Sequence, residues 1–266
     1  MLRSSVASSP RRQLIGSAIA KVIPDVDTPK ESYPHLISLA VHELRTPASV
    51  ISGYLRMLQT GSDALSDRQR KMVDEAASSC ARLVAIVAEL SEVGKLDAGF
   101  IKLARRPLDA FALLAEVAAL VHEAKDRDVH LELRGAVSGA TISGDAERLR
   151  NAFDAIFRAI LREKPGPCTV VAERRIEQID GRPSAVVIVA AEDSVQAAYD
   201  REAGPFFEKR GGMGLALPLA RRAIEGLGGR LQSPVPLDAP EPGQEHRDPL
   251  YRGSAIISLP ITEPAR

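Results

Sequence analysis

Two apolar stripes of the same spacing constrain the fold of this chain more than any other feature. The first runs through Ile37, Val41, Leu44, Ala48, Ile51, Leu55 and Leu58, in alternating steps of four and three. That spacing keeps every member on one side of an α-helix and makes a bundle seam. QTGSDALSD then breaks the pattern at Gly61 and offers Ser62 or Ser66 as a helix cap. The stripe resumes at Met72, Ala76, Ser79, Leu83, Ile86, Leu90 and Val93. Two long helices joined by a short turn make an antiparallel hairpin. One hairpin has a single stripe per helix and buries it poorly alone, so the expectation is a homodimer in which two copies form a four-helix bundle. The competing reading packs the stripe against the rest of the chain.

The flank of the first stripe carries a chemical cluster, AVHELRTPASV. His42 lies one position past Val41, so its ring projects from the side of the seam and not into it. Glu43 can hold one imidazole nitrogen and raise the nucleophilicity of the other. Thr46, one turn on, shares the face of His42 and can position a water there. Pro47 has no N–H, so the carbonyl of Glu43 loses its helical partner and the helix softens beneath the histidine. The cluster reads as an exposed, activated nucleophile on a helix that can flex. No other histidine has this setting: His35 precedes the stripe, His122 and His130 lie in the second half of the chain, and His246 sits in the loop PVPLDAPEPGQEHRDP.

HELRTPASVISGYLRML closely resembles the phosphoacceptor motif of sensor histidine kinases, which reads H-E-L-R-T-P-L. The resemblance implies that His42 is the phosphoacceptor, Glu43 the acid/base partner and Thr46 the residue used in dephosphorylating a response regulator. Ala48 replaces the usual leucine.

After KLDAGFIKLARRPLD the pattern changes. A helical run from about Leu108 to Ala124 precedes VHLELR and ATISG, which have strand character. A helix from about Ala146 to Arg162 follows, then the strands TVVAERRI and AVVIVA, a helix from Leu215 to Leu227 and a last strand SAIISLPI. Without regular βαβ alternation this order predicts an α/β sandwich, and the whole an α+β chain of hairpin plus sandwich. It resembles the ATP-binding domain that follows the phosphoacceptor hairpin in histidine kinases, and the resemblance covers roughly residues 31–262. The expected organisation is a flexible tail at 1–30, a dimerisation and phosphotransfer hairpin at 31–98 and a degenerate ATP-binding-type sandwich at 105–266.

The nucleotide boxes match unevenly. In GMGLALPLARRAIEGLGGRL, Gly212, Gly214, Leu215 and Leu217 follow the family's second glycine box, G-x-G-L-G-L, with Ala216 in place of the last glycine. Glycines opening a helix let a phosphate approach free backbone N–H groups, so these residues mark a vestigial nucleotide loop. GPFFEKR, with Phe206 and Phe207, resembles the phenylalanine box. DAERLRNAFDAIFRAI keeps Asp145, Arg148 and Leu149 of the asparagine helix, yet the two asparagines fall on Ala155 and Ala159. The second asparagine of the family holds magnesium, and alanine has no oxygen to give a metal that demands near-octahedral ligands. The first glycine box is missing: VIVAAEDSVQ supplies Glu192 or Asp193 for the adenine-binding aspartate, with no glycine after it. Four residues, EKRG, separate Phe207 from Gly212, too few for a lid. Binding of ATP and magnesium is therefore expected to be weak or absent, with no other cofactor and no metal site.

Composition narrows the partners. Thirty-five basic and 35 acidic residues cancel over 266 residues, so no global field selects nucleic acid. No stretch reaches the roughly 20 apolar residues of a membrane span. Cys80 and Cys168, without partners at metal-ligand spacing, fit a reducing cytoplasm. The expected protein is a cytoplasmic homodimer that exchanges phosphate between His42 and a response-regulator receiver aspartate. The alternatives are an active ATP-dependent histidine kinase with an aberrant nucleotide site and a non-catalytic scaffold or phosphatase.

Overall fold

The computed structural model describes residues 32–61, 65–122, 124–210, 212–237 and 248–262. The tail at 1–30, Ser62 and the loop around His246 lie outside the described residues, as does the side chain of His35.

The hairpin is formed by α1 (Ser32–Thr60) and α2 (Asp67–Asp97), and α1 continues without interruption through Pro47. Ser66 begins α2 with a reciprocal cap: its hydroxyl accepts from the Gln69 N–H at 3.4 Å, and the Gln69 side chain accepts from the Ser66 N–H at 3.0 Å. Two donors otherwise orphaned at a helix start are satisfied this way.

The stripes read from the sequence divide into two functions. Ile37, Val41 and Val87, with Leu90 packed on them, form the small core between the helices. Leu44, Ile51, Leu58, Met72, Leu83 and Ile86 instead stay 37% to 60% exposed. On α2 the face that meets α1 is offset by about one residue from the expected stripe and passes through Cys80, Val87 and Gly94. The stripe from Met72 to Ile86 is therefore the uncovered face of α2 and not its contact with α1. Small residues explain the close approach of the helices. The Cys80 thiol donates to the Ala48 carbonyl at 3.5 Å and lies 3.2 Å from the Ser52 hydroxyl, and a Cβ on Gly94 would stand 2.9 Å from the Ile37 side chain. Ala48 is 2% exposed. Restoring the family's leucine by Ala48→Leu forces extra methyl groups into this seam, and a loss of about 1–3 kcal/mol is expected in urea unfolding.

The second half folds as β1 (Arg106–Asp109), α3 (Ala110–Leu120), β2 (Val129–Gly135), β3 (Thr141–Gly144), α4 (Ala146–Arg162), β4 (Cys168–Ile179), β5 (Arg182–Ala191), α5 (Val195–Asp200), β6 (Ala203–Pro205), α6 (Ala216–Gly226), β7 (Arg230–Pro234), α7 (Pro249–Arg252) and β8 (Ala255–Pro260). Six strands make one sheet in the order β2-β4-β5-β8-β7-β6, parallel at β2–β4 and antiparallel elsewhere, while β1 and β3 form a separate ribbon. The alternation of β5 sorts the two faces. Ala185, Val187 and Val189 join Phe111, Leu114, Phe153, Phe157, Leu217 and Ile224 in the main core, and Val186, Ile188 and Ala190 meet Val195 and Ala198 of α5 on the opposite face.

The expected helix at 108–124 is shorter, at Ala110–Leu120. Asp109 is extended and accepts from the N–H groups of Phe111 and Ala112, so helix begins only after it. The short elements β1, β6, β7, α5 and α7 carry too few residues for periodicity to reveal them.

The hairpin and sandwich meet through the linker and the last turns of α2. The Ala104 N–H donates to Asp145, Arg105 donates to the Gly226 carbonyl at 2.8 Å, and a Cβ on Gly226 would stand 2.6 Å from Leu103.

Candidate functional site

His42 projects into solvent with 77% of its side chain exposed, and its Nδ1 lies 3.3 Å from Oε1 of Glu43, itself 72% exposed. Such a pair adds little stability in water. Its effect is chemical: with Nδ1 engaged by a carboxylate, Nε2 is the nitrogen turned to an incoming electrophile. Thr46 is exposed one turn further along the same helix. Helix α1 thus brings the three candidate residues of the hairpin together on an open face.

The glycine loop presents a different picture. Gly212 and Gly214 have φ of 80° and 57°, in the left-handed region that favours glycine. They lead into Leu215, whose side chain cannot cap α6. The Leu215 N–H donates instead to Oε2 of Glu89, on α2, at 2.7 Å. A Cβ on Gly214 would stand 2.5 Å from that oxygen, so the second glycine makes room for the carboxylate. Gly212, Gly214 and Leu215 lie in one loop, and the acceptor that meets the Leu215 N–H belongs to the chain itself. Beside this contact, α2, α4 and α6 enclose a cavity of about 410 Å³, lined by Glu89, Glu92, Arg148, Asn151, Ala155, Arg162, Gly212 and Met213 among others.

The other expected nucleotide residues are dispersed. Ala155 lines the cavity and offers no side-chain oxygen. Ala159 is 1% exposed, and its carbonyl accepts from Nη1 of Arg210 at 3.2 Å. Arg210 is buried between Phe206 and Phe207, with its guanidinium carbon 5.1 and 5.7 Å from the ring centroids, and it also donates to the Phe207 carbonyl. Its Nη2 has no hydrogen-bond partner among the described residues. Burial pushes Arg210 down to about 10, which leaves it charged at neutral pH. A cation therefore stands against the backbone of Ala159, the position at which the resemblance expects an asparagine. Glu192 and Asp193 lie in a tight 3-10 turn after β5, where Glu192 pairs with Arg134 of β2 and Asp193 accepts from Ser194. Neither lines the cavity. Ala155 and Ala159 thus offer no side-chain oxygen at the two positions where the resemblance expects asparagines, and no group of three or more metal-ligating side chains occurs among the described residues.

Glu89 and Arg210 were not legible as site residues, because each acts on a partner distant in sequence. The one hint for Glu89 is that Glu89 and Glu92, three apart on α2, share a face, and Glu92 pairs with Arg148 of α4.

A helical hairpin with an exposed histidine–glutamate pair leads into a mixed-sheet sandwich with a glycine loop. Comparison with known proteins agrees. Residues 35–99 match the His Kinase A (phospho-acceptor) domain. The chain is 28% identical over 205 residues to Sensor protein GacS of Pseudomonas syringae pv. syringae, covering 71% of this chain and 22% of that protein. It is 26% identical to the signal transduction histidine-protein kinase BaeS of Escherichia coli K12, covering 71% of this chain and 41% of the relative. The chain thus spans less than half the length of these relatives. Among solved structures, full-length ShkA in complex with AMPPNP superposes with a TM-score of 0.60 at 24% identity, over 88% of this chain and 47% of that one, a likeness of fold. The hairpin is thus similar to the phospho-acceptor domain of histidine kinases, and the shared length as a whole is similar to sensor proteins of two-component signalling. No helix among the described residues is long and apolar enough to cross a membrane.

Proposed function

We propose that this chain is a dimeric, cytoplasmic histidine phosphotransfer protein, with residues 31–98 as the dimerisation and transfer unit and 105–266 as a degenerate ATP-binding-type sandwich. Nε2 of His42 attacks the phosphorus of a receiver's aspartyl phosphate. An N–P bond forms, the P–O bond breaks and the aspartate leaves as carboxylate. Glu43 holds the Nδ1 proton and stabilises the imidazolium that develops. Thr46 positions the water that returns the receiver to its unphosphorylated form. The apolar face from Leu44 through Ile51 to Leu58, with Met72, Leu83 and Ile86, is the surface that a second copy covers.

The observation that carries this reading is the combination of an exposed His42–Glu43 pair with a glycine loop whose first donor is taken by Glu89. The rival reading, an ATP-dependent histidine kinase, is favoured by the cavity beside that loop and by the positive φ of both glycines. ShkA, solved with AMPPNP, has a comparable fold. Titration calorimetry with Mg-ATP separates the two: no heat of binding in the micromolar range is expected, and no rise in melting temperature by mass action. Micromolar, magnesium-dependent binding would replace the phosphotransfer reading by the kinase one.

A further inference from the structure

The start of α6 is an anion site by construction, since the N–H groups of the first turn have no partner within the helix and the helix dipole favours negative charge there. The Leu215 N–H is taken by a carboxylate that arrives from another part of the fold, Glu89 of α2, at 2.7 Å. Two further acid–base contacts tie the same side of α2 to the sandwich. Glu92 pairs with Arg148 of α4, and Asp97 pairs with Arg222 of α6 through two bonds of 2.6 and 2.8 Å. The three acids reach the start of α6, the start of α4 and the body of α6, so they fix an orientation that one contact alone would leave free. The apolar stripe of α2 takes no part, since Met72, Leu83 and Ile86 remain exposed.

We propose that the glycine loop of this chain is a carboxylate receptor filled in cis by Glu89, and that this contact latches the sandwich onto α2 beside the phosphoacceptor. Glu89 lies between Val87 and Leu90, the α2 residues that pack with Val41, the neighbour of His42. The latch therefore sits at the level of His42 along the hairpin, and its release changes what a protein approaching His42 meets. A phosphate reaching the loop must displace the carboxylate from the same donor, which adds a competitor to the missing metal ligand. The inference goes beyond the proposed phosphotransfer, because it concerns the loop and not the chemistry at His42.

Amide hydrogen exchange on the full chain tests it. The N–H of a residue at a helix start has no intrahelical acceptor and exchanges quickly unless something else holds it. The latch requires slow exchange at Leu215 in the unaltered chain and at least tenfold faster exchange in Glu89→Ala, with Leu149 and Ile156 of the sandwich core unchanged as a check on folding. Glu89→Gln keeps an oxygen acceptor without the charge and is expected to fall between. Fast exchange at Leu215 in the unaltered chain, or a rate within twofold of it in Glu89→Ala, would overturn the proposal. Neither result depends on whether His42 carries phosphate.

Discussion

Leu44→Glu is expected to convert the proposed dimer to monomers at micromolar concentration without unfolding the hairpin. Leu44 is 45% exposed and takes no part in the α1–α2 core of Ile37, Val41 and Val87. A glutamate there remains hydrated in the single chain. In a four-helix bundle the same position faces its copy, so two carboxylates lose water beside each other with no partner. Leaving an unpaired charge buried costs about 3–5 kcal/mol, which weakens association by about two to four orders of magnitude. Light scattering should report half the mass, with the helical circular dichroism retained. An unchanged dimer would mean that another surface joins the copies.

The hairpin was readable from sequence because its signal is local and repeated. Spacing gave two helices and offered Ser62 or Ser66 as the cap of the second, which Ser66 supplies. Spacing did not distinguish the face that meets the neighbouring helix from the face left open, since both are apolar. Small residues decided it: Ala48, Ser52, Cys80 and Gly94 draw the helices together on one side, and a hydrophobic count gives such residues little weight. In the sandwich, strands such as AVVIVA were evident because both faces of β5 are buried, against the main core and against α5. The short strands β1, β6 and β7 depend on pairing with distant segments and leave almost no pattern of their own.

The site divides along the same line. His42, Glu43 and Thr46 lie within five residues of one helix, so the sequence places them together as directly as the structure does. Asparagines replaced by Ala155 and Ala159 were equally plain. What fills the space was not. Arg210 reaches Ala159 across 51 positions and Glu89 reaches Leu215 across 126, and only the packing of α2, α4 and α6 brings those pairs into contact.

His42→Ala is expected to abolish acid-labile phosphate on this chain altogether, whether the donor is ATP or a phosphorylated receiver. The imidazole is largely exposed and outside the hairpin core, so folding and dimerisation should be preserved. The loss is complete because no neighbouring group substitutes for an imidazole that is nucleophilic near neutral pH. Of the other histidines whose side chains are described, His122 is exposed in the turn after α3, and His130 lies in β2 with its Nε2 2.8 Å from Asp128. Neither stands on an open helix face with a hydroxyl one turn away.

The most direct test of the account is the position of that phosphate after the unaltered chain is incubated with a phosphorylated receiver and no ATP. Fragmentation mass spectrometry under neutral conditions should place a phosphoramidate on His42, with phosphate lost from the receiver in step. Phosphate at any other residue, or transfer that persists in His42→Ala, would contradict it.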